Sequence, residues 1–295
     1  MTRFLNKKSL IQSTALWALI FIFSLPSLAY IPKSQTIIDH LVQLHGKGAY
    51  VIEQDVVFPQ TQGSLIGSTI LKEKWTVENG EALRLEVSGT KDTGDIHFEA
   101  VYHNGKVTFT QENGVTTQKV KPEFFEGFFH TRSKQGFVDA LQRANIAPAA
   151  LTAEATPTTS LENLKLESEP FVQLGRGGGT IAWIIGEPNV DPTGRPQPAV
   201  WVEQDEFRLL KLRFPSTAEV IANQYAGFSG GLSFPRERLI SWGNNKIVIR
   251  IKSIRSIALS QAAKVLNPTT LTQKKTSPSH LPELEIVREF YSRFR

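Results

Sequence analysis

Apolar and polar residues alternate with a period of two along most of this chain, the pattern of strands with one covered and one solvated face. Tyr50, Ile52, Val56 and Phe58 share a face of the run 49–58. A second run spans Leu65 to Val77 and ends at Asn79-Gly80. Leu83, Leu85 and Val87 then alternate with Arg84, Glu86 and Ser88. Ile96, Phe98, Ala100 and Tyr102 lead to Asn104-Gly105, and Val107 and Phe109 lead to Asn113-Gly114. Asn-Gly pairs between alternating runs predict hairpins, because both residues accept the positive φ of a two-residue turn. The tract 199–254 continues the pattern. It holds 199–203, then 207–214 with Leu210, Leu212 and Phe214 on one face, 219–225, 239–242, and a last run with Ile247, Ile249 and Ile251 opposite Arg250 and Lys252. Trp183, with Ile181 and Ile185, marks a further strand after the glycines of 175–179. The prediction is α+β, mainly antiparallel β.

Four stretches depart from that period. Ile37, Ile38, Leu41, Val42 and Leu44 recur at helical spacing behind Ser34, a residue suited to an N-cap. Phe124, Phe125, Phe128 and Phe129 crowd six positions after Pro122, and helical spacing sets Phe124 beside Phe128 and Phe125 beside Phe129. Residues 133–145 read as a helix with Phe137, Leu141 and Ala144 on one side. Leu284, Val287, Tyr291 and Phe294 form a stripe on an amphipathic helix within 281–295. Between these, 147–160 is an Ala/Thr/Pro connection, 159–162 resembles a capping box, and 260–266 is a short helix.

Charge and leader change the picture. Arg3, Lys7 and Lys8 precede an apolar run from Ala15 to Leu25, and Ser27-Leu28-Ala29 supplies small residues for a signal peptidase. Cleavage after Ala29 would take three basic residues and no acidic one, so the 33 Lys+Arg and net +5 of the whole chain fall to 30 against 28 Asp+Glu. A balance that close to neutral gives no electrostatic footprint for nucleic acid. The chain has no cysteine. Disulfides, thiolate metal sites, a cysteine nucleophile and a lipidated cysteine are thereby excluded. The expectation is a periplasmic monomer without cofactor.

The candidate chemistry is sparse. Gly227-Phe228-Ser229-Gly230-Gly231 matches the nucleophile elbow G-x-S-x-G, which works on a turn from a strand into a helix. Here another strand follows, and a bend is the expected role. Arg176-Gly177-Gly178-Gly179-Thr180 lacks the Lys-Ser/Thr of a phosphate loop. His40 and His45 are five apart, a poor spacing for one metal on one helical face. His97 and His103 lie roughly 20 Å apart along one strand, too far to share an ion. Arg236, Arg238, Lys246, Arg250, Lys252 and Arg255 form a basic stretch with Glu237 as its one acid, suited to a solvated face or to an anionic membrane surface.

Apolar side chains exceed what a plain sheet needs. A long antiparallel sheet interrupted by helices tends to curl around an apolar cavity. The residues expected to line it are Trp75, Leu85, Val87, Phe98, Phe109, Phe124, Phe125, Phe128, Phe129, Trp183, Trp201, Leu210, Leu212, Phe214 and Ile249.

The order of leader, helix, β-meander with Tyr102-His103-Asn104-Gly105-Lys106-Val107, Phe-rich insert and final meander resembles the periplasmic outer-membrane lipoprotein carriers, the LolA/LolB-like superfamily. The matching stretches are Gly67 through Leu85-Glu86, the Asn104-Gly105-Lys106 turn, Phe207 to Leu212, and Pro235 to Ile251. The resemblance implies an open, strongly curved half-barrel over 30–270, with helices covering a concave apolar face that receives acyl chains. Residues 271–295 would be an added tail. The absent cysteine fits a soluble carrier rather than an anchored acceptor. Lys72 and Lys74 run into Trp75 where the family places a basic residue followed by proline. The classes left open are a carrier of acylated lipoprotein or lipid, a sensor or scaffold for an envelope protein, and an exported hydrolase using Ser229.

Overall fold

A computed structural model describes residues 31–59, 68–78, 82–90, 93, 96–111, 114–147, 151, 169–186, 193–271 and 284–295. The leader, the capping box at 159–162, most of 147–160 and the expected strand start at Leu65 lie outside these residues.

One antiparallel sheet organises the described chain. Its strands are β1 (Ala49–Phe58), β2 (Thr69–Glu78), β3 (Ala82–Ser88), β4 (His97–His103), β5 (Lys106–Gln111), β6 (Gly114–Lys119), β7 (Val172–Gly177), β8 (Thr180–Gly186), β9 (Ala199–Glu203), β10 (Leu209–Arg213), β11 (Glu219–Phe228), β12 (Leu232–Trp242) and β13 (Asn245–Ile257). The order across the sheet is β6-β5-β4-β3-β2-β1-β13-β12-β11-β10-β9-β8-β7. Each strand therefore pairs with its chain neighbours, except where β1 meets β13 and the gap between β6 and β7 opens the two edges. The sheet is curved and open, a half-barrel rather than a closed barrel. Asn104 and Gly105, at φ 49° and 70°, close the β4–β5 hairpin as the Asn-Gly pair predicts.

Facing partners on neighbouring strands point to the same side of the sheet, so the registers trace its concave face. One rung runs Ile52, Trp75, Leu85, Ala100, Phe109. On the other half a rung runs Ile247, Ile240, Val220, Leu212, Val200, Ile185. Two details depart from the sequence reading. Residues 172–177 are a strand in their own right, so the glycines of 175–177 are paired with β8 and only Gly178-Gly179 turn the chain. The pairing of β10 with β9 skips Leu210, since Leu209 faces Val202 and Lys211 faces Trp201. That bulge breaks the two-residue period and moves Leu210 off the face of Leu212 and Phe214.

Four helices are placed by their apolar stripes on the concave side. They are α1 (Ser34–Gln43), α2 (Gly127–His130) and α3 (Lys134–Arg143) here, with a later one described below. In α1, Lys33 is the cap and Ser34 is the first helical residue, its N–H donating to Glu169 at 2.8 Å. Ser133 caps α3 by accepting from the Gly136 N–H at 3.0 Å, and Phe137, Val138 and Leu141 face inward. After β13 the chain crosses to the convex side. There α4 (Leu259–Leu266) packs Ala262 and Leu266 on Ala49 and Ala82, while Arg84 donates to the Val265 carbonyl and to Thr270, each at 2.7 Å. The chain is next described on the concave side as α5 (Leu284–Phe294).

Candidate ligand-binding site

The concave face carries an apolar wall with a buried ionic floor. Arg238 on β12 is fully buried. Its Nη1 donates to Glu126 Oε2 and its Nη2 to Gln54 Oε1, both at 2.6 Å. Gln54 Nε2 donates in turn to Glu73 Oε2 at 2.6 Å, and Trp75 Nε1 reaches the same oxygen at 3.0 Å. Arg295, which follows α5, donates to both Glu73 oxygens at 3.0 and 3.1 Å and lies 3.0 Å from Glu126 Oε1. Two carboxylates and two guanidinium groups thus close at zero net charge, the condition under which burial of so many charges is tolerable. Aromatic faces surround both cations. Phe125, Phe129 and Phe234 lie 5.2–5.7 Å from Arg238, and Trp75, Phe125 and Phe290 lie 4.6–5.3 Å from Arg295.

The electrostatics follow from that arrangement. Burial by itself would raise the Glu126 carboxyl, but Arg238 and Arg295 beside it hold it well below the usual carboxylate range. Burial opposes the charge on Arg295, yet Glu73 and Glu126 outweigh it and raise its value. His130 Nε2 sits 3.4 Å from Glu126 and its Nδ1 is 3.0 Å from the Tyr50 hydroxyl. Burial lowers His130, and lowers His45 to about 4, with His130 and Arg132 adding to the effect at His45. His45 Nδ1 donates to the Thr131 carbonyl. This neutral ring ties the end of α1 to the end of α2.

The structure brings most of the expected lining residues together. Trp75, Leu85, Val87, Phe124, Phe125, Phe128, Phe129, Leu212, Phe214 and Ile249 are buried on the concave side, and Phe98 and Phe109 are half-buried there. Trp183 is buried on the same face of β8, its Nε1 donating to the Gln204 carbonyl at 3.3 Å. Two are misplaced. Trp201 and Leu210 belong to a separate cluster with Ala182, Ile184 and Ala199 on the opposite face, where Lys211 and Arg213 lie over the Trp201 ring. Leu210 reaches that face through the β10 bulge, and Trp201 through its register with Ile184.

The Phe-rich segment also differs in detail. Phe125 and Phe129 meet at 6.5 Å as helical spacing predicts, but Phe124 stacks on Tyr102 at 4.4 Å while Phe128 packs on Phe137 and Phe214. Regular helix starts only at Gly127, so Phe124 precedes the periodic part.

The final helix fills the space beneath the sheet. Phe290 meets Phe58 at 5.6 Å and Trp242 at 6.3 Å; Phe294 meets Trp242 at 5.3 Å and Phe125 at 6.1 Å. Val287, Phe290 and Phe294 are its buried stripe, and Tyr291, expected in that stripe, is half-buried against Phe98.

Two open recesses flank this packing. One, of about 450 Å³, lies between the β4–β5 turn and α2–α3, lined by Tyr102, Phe124, Gly127, Ala140 and Arg143 among others. The other, about 550 Å³, is charged, with Lys74 paired to Glu86 at 3.0 Å and Lys252 to Asp55 at 2.9 Å. Neither is the apolar cavity expected from the sequence. That volume is occupied by α5 and the phenylalanines.

The remaining sequence candidates take structural roles. Ser229 is exposed on a turn between β11 and β12, with no helix after it. The turn docks the α1–β1 connection, through Lys47 N–H to the Gly230 carbonyl at 2.9 Å and Ser233 N–H to the Leu44 carbonyl at 2.7 Å. Gly230, at φ 75°, lies so close to the Lys47 carbonyl that an added Cβ would sit 2.8 Å from it. Of the basic stretch, Arg236, Lys246, Arg250, Lys252 and Arg255 are exposed, but Arg238 faces inward. Sequence reading missed the ionic floor. Its signal was present: Gln54, Glu73 and Arg238 are polar residues at positions where the two-residue period calls for apolar ones.

Fold and site together define an open antiparallel half-barrel whose apolar concave face is covered by helices. No protein-family model and no curated protein sequence matches the chain. Among solved structures it is similar to a LolA superfamily protein from Nitrosomonas europaea, at 8% identity over 77% of this chain and 95% of that one, with a TM-score of 0.48. It is also similar to a domain described as an outer-membrane lipoprotein-sorting protein from Vibrio parahaemolyticus (10% identity, 79% and 97% covered, TM-score 0.45) and to lipoprotein LppX from Mycobacterium tuberculosis (10%, 75% and 95%, TM-score 0.25).

Proposed function

We propose that this chain is a periplasmic carrier that takes up the acyl chains of lipoproteins or other lipids on the concave face of its half-barrel. One observation carries the reading. The concave face is aromatic and aliphatic from Phe58 and Trp75 across to Trp242, and helices rather than a second sheet cover it. Helices that lie outside the strand ladder can separate from a sheet without breaking its pairing, which suits reversible uptake of an apolar ligand. An acyl chain gains about 0.8 kcal/mol for each methylene removed from water, so burial against such a face favours binding. The basic start and small-residue site of residues 1–29 support export.

The test is organic extraction of the exported protein followed by mass spectrometry, together with titration of a fluorescent acyl probe. Stoichiometric acyl species or saturable probe binding is the expected result. A stoichiometric protein partner without lipid or probe binding would favour the scaffold reading instead.

A further inference from the structure

The face that an acyl chain would cover is already covered by a segment of the same chain. Val287, Phe290 and Phe294 of α5 are buried while Glu285 and Arg288 on its other side are exposed. Below them Phe58, Trp75, Phe98, Phe125 and Trp242 take the helix's rings and its adjoining arginine. At the rim the ties are few: Asn245 to Glu289 at 3.2 Å, and Arg293 to Ser216 at 2.6 Å and to Glu123. The specific anchor is Arg295, held by Glu73 and Glu126.

We propose that α5 is a resident occupant of the acyl site, latched by Arg295 on the Glu73–Glu126 pair, and that an acyl ligand enters by displacing it. The inference rests on the carrier reading. Three features of the packing support it. Among the described residues no backbone–backbone hydrogen bond joins α5 to the sheet, so its departure breaks no strand pairing. The surface it covers presents the rings of Phe58, Trp75, Phe98, Phe125 and Trp242, around the Glu73–Glu126 pair that holds Arg295. In the floor beneath, Arg238 still neutralises Glu126 and Gln54 and Trp75 still donate to Glu73, so the charge uncovered by the departure is that of Glu73 alone. The site can therefore exchange one apolar occupant for another at the cost of the Arg295 pairs with Glu73 and Glu126 and the Arg293 pair with Glu123. Occupancy by α5 also keeps this apolar surface from water and from other chains while no cargo is bound.

The absence of cysteine makes a clean test possible. Asn245→Cys with Glu289→Cys places two thiols across the rim contact, and a short bis-maleimide joins them in the full chain. The free double variant should bind a fluorescent acyl probe, and the cross-linked form should bind it at least tenfold more weakly. Arg295→Gln, which weakens the latch, should bind the probe several-fold more tightly than the parent. Equal binding by cross-linked and free forms would overturn the inference and leave the carrier reading standing. Weaker binding by Arg295→Gln in a folded protein would also count against it. Failure of both free and cross-linked forms to bind any probe would instead sink the carrier reading, and this inference with it.

Discussion

The buried pair of Glu126 and Arg238 yields a sharp stability prediction. Both side chains are wholly inaccessible, their contact is 2.6 Å, and each has further partners: Arg295 and His130 for Glu126, Gln54 for Arg238. Glu126→Gln keeps shape but leaves the Arg238 cation buried against a neutral amide. Arg238→Met leaves Glu126 with Arg295, which it must share with Glu73. Removing one partner of a buried ion pair costs roughly 3–5 kcal/mol, most of it the burial of the uncompensated charge. The Arg238→Met figure should fall at the lower end, because Arg295 still faces Glu126. The double variant removes both charges and leaves Arg295 on Glu73 through its two hydrogen bonds. Its cost should then approach that of one single variant rather than the sum of two. Urea unfolding of the four proteins at neutral pH closes the cycle, with an expected coupling of 2 kcal/mol or more, near the upper range for contacting residues. Additivity of the two single effects within about 0.5 kcal/mol would refute the reasoning.

Other outcomes follow from the same packing. Phe125→Ala removes a fully buried ring between Phe129, Phe294 and two arginines, and should cost about 3–5 kcal/mol in chemical unfolding, so that this ring acts as core as well as cover. Leu212→Ala should cost about 2–5 kcal/mol, and Leu210→Ala on the convex cluster clearly less; equal costs would contradict the bulge. His45 is lowered from 6.5 to about 4 in the folded chain, so the unfolded chain binds the extra proton, and stability present above pH 6.5 is lost as pH falls toward 4. That amounts to roughly 3 kcal/mol. His45→Gln should flatten the stability profile in that window by close to one proton, and an unchanged slope would assign the acid sensitivity elsewhere. Charge reversal at exposed Arg250 and Lys252 should change stability by less than about 1 kcal/mol, since their pairs with Glu237 and Asp55 are solvated.

What the sequence disclosed and what it hid follow from how local each signal is. The two-residue period is a local signal, and it placed Trp75, Leu85, Val87 and Ile249 on the covered face because nothing interrupts their strands. At β10 a single bulged residue shifts phase without any mark in composition, so Leu210 reads as inward and packs outward. The ionic floor marks the sequence only as breaks in the apolar period, for a different reason. Gln54, Glu73, Glu126, Arg238 and Arg295 come from five distant segments, and a charged residue at an apolar position looks like noise until its counter-charge is known. The stripe on α5 was equally plain in the sequence, but a stripe says only that a helix will be covered, not by what. In this fold the cover is the concave face of the sheet, the surface that the proposed carrier reading assigns to an acyl cargo. On that reading the apolar complementarity that completes the core sets the affinity with which a ligand must compete.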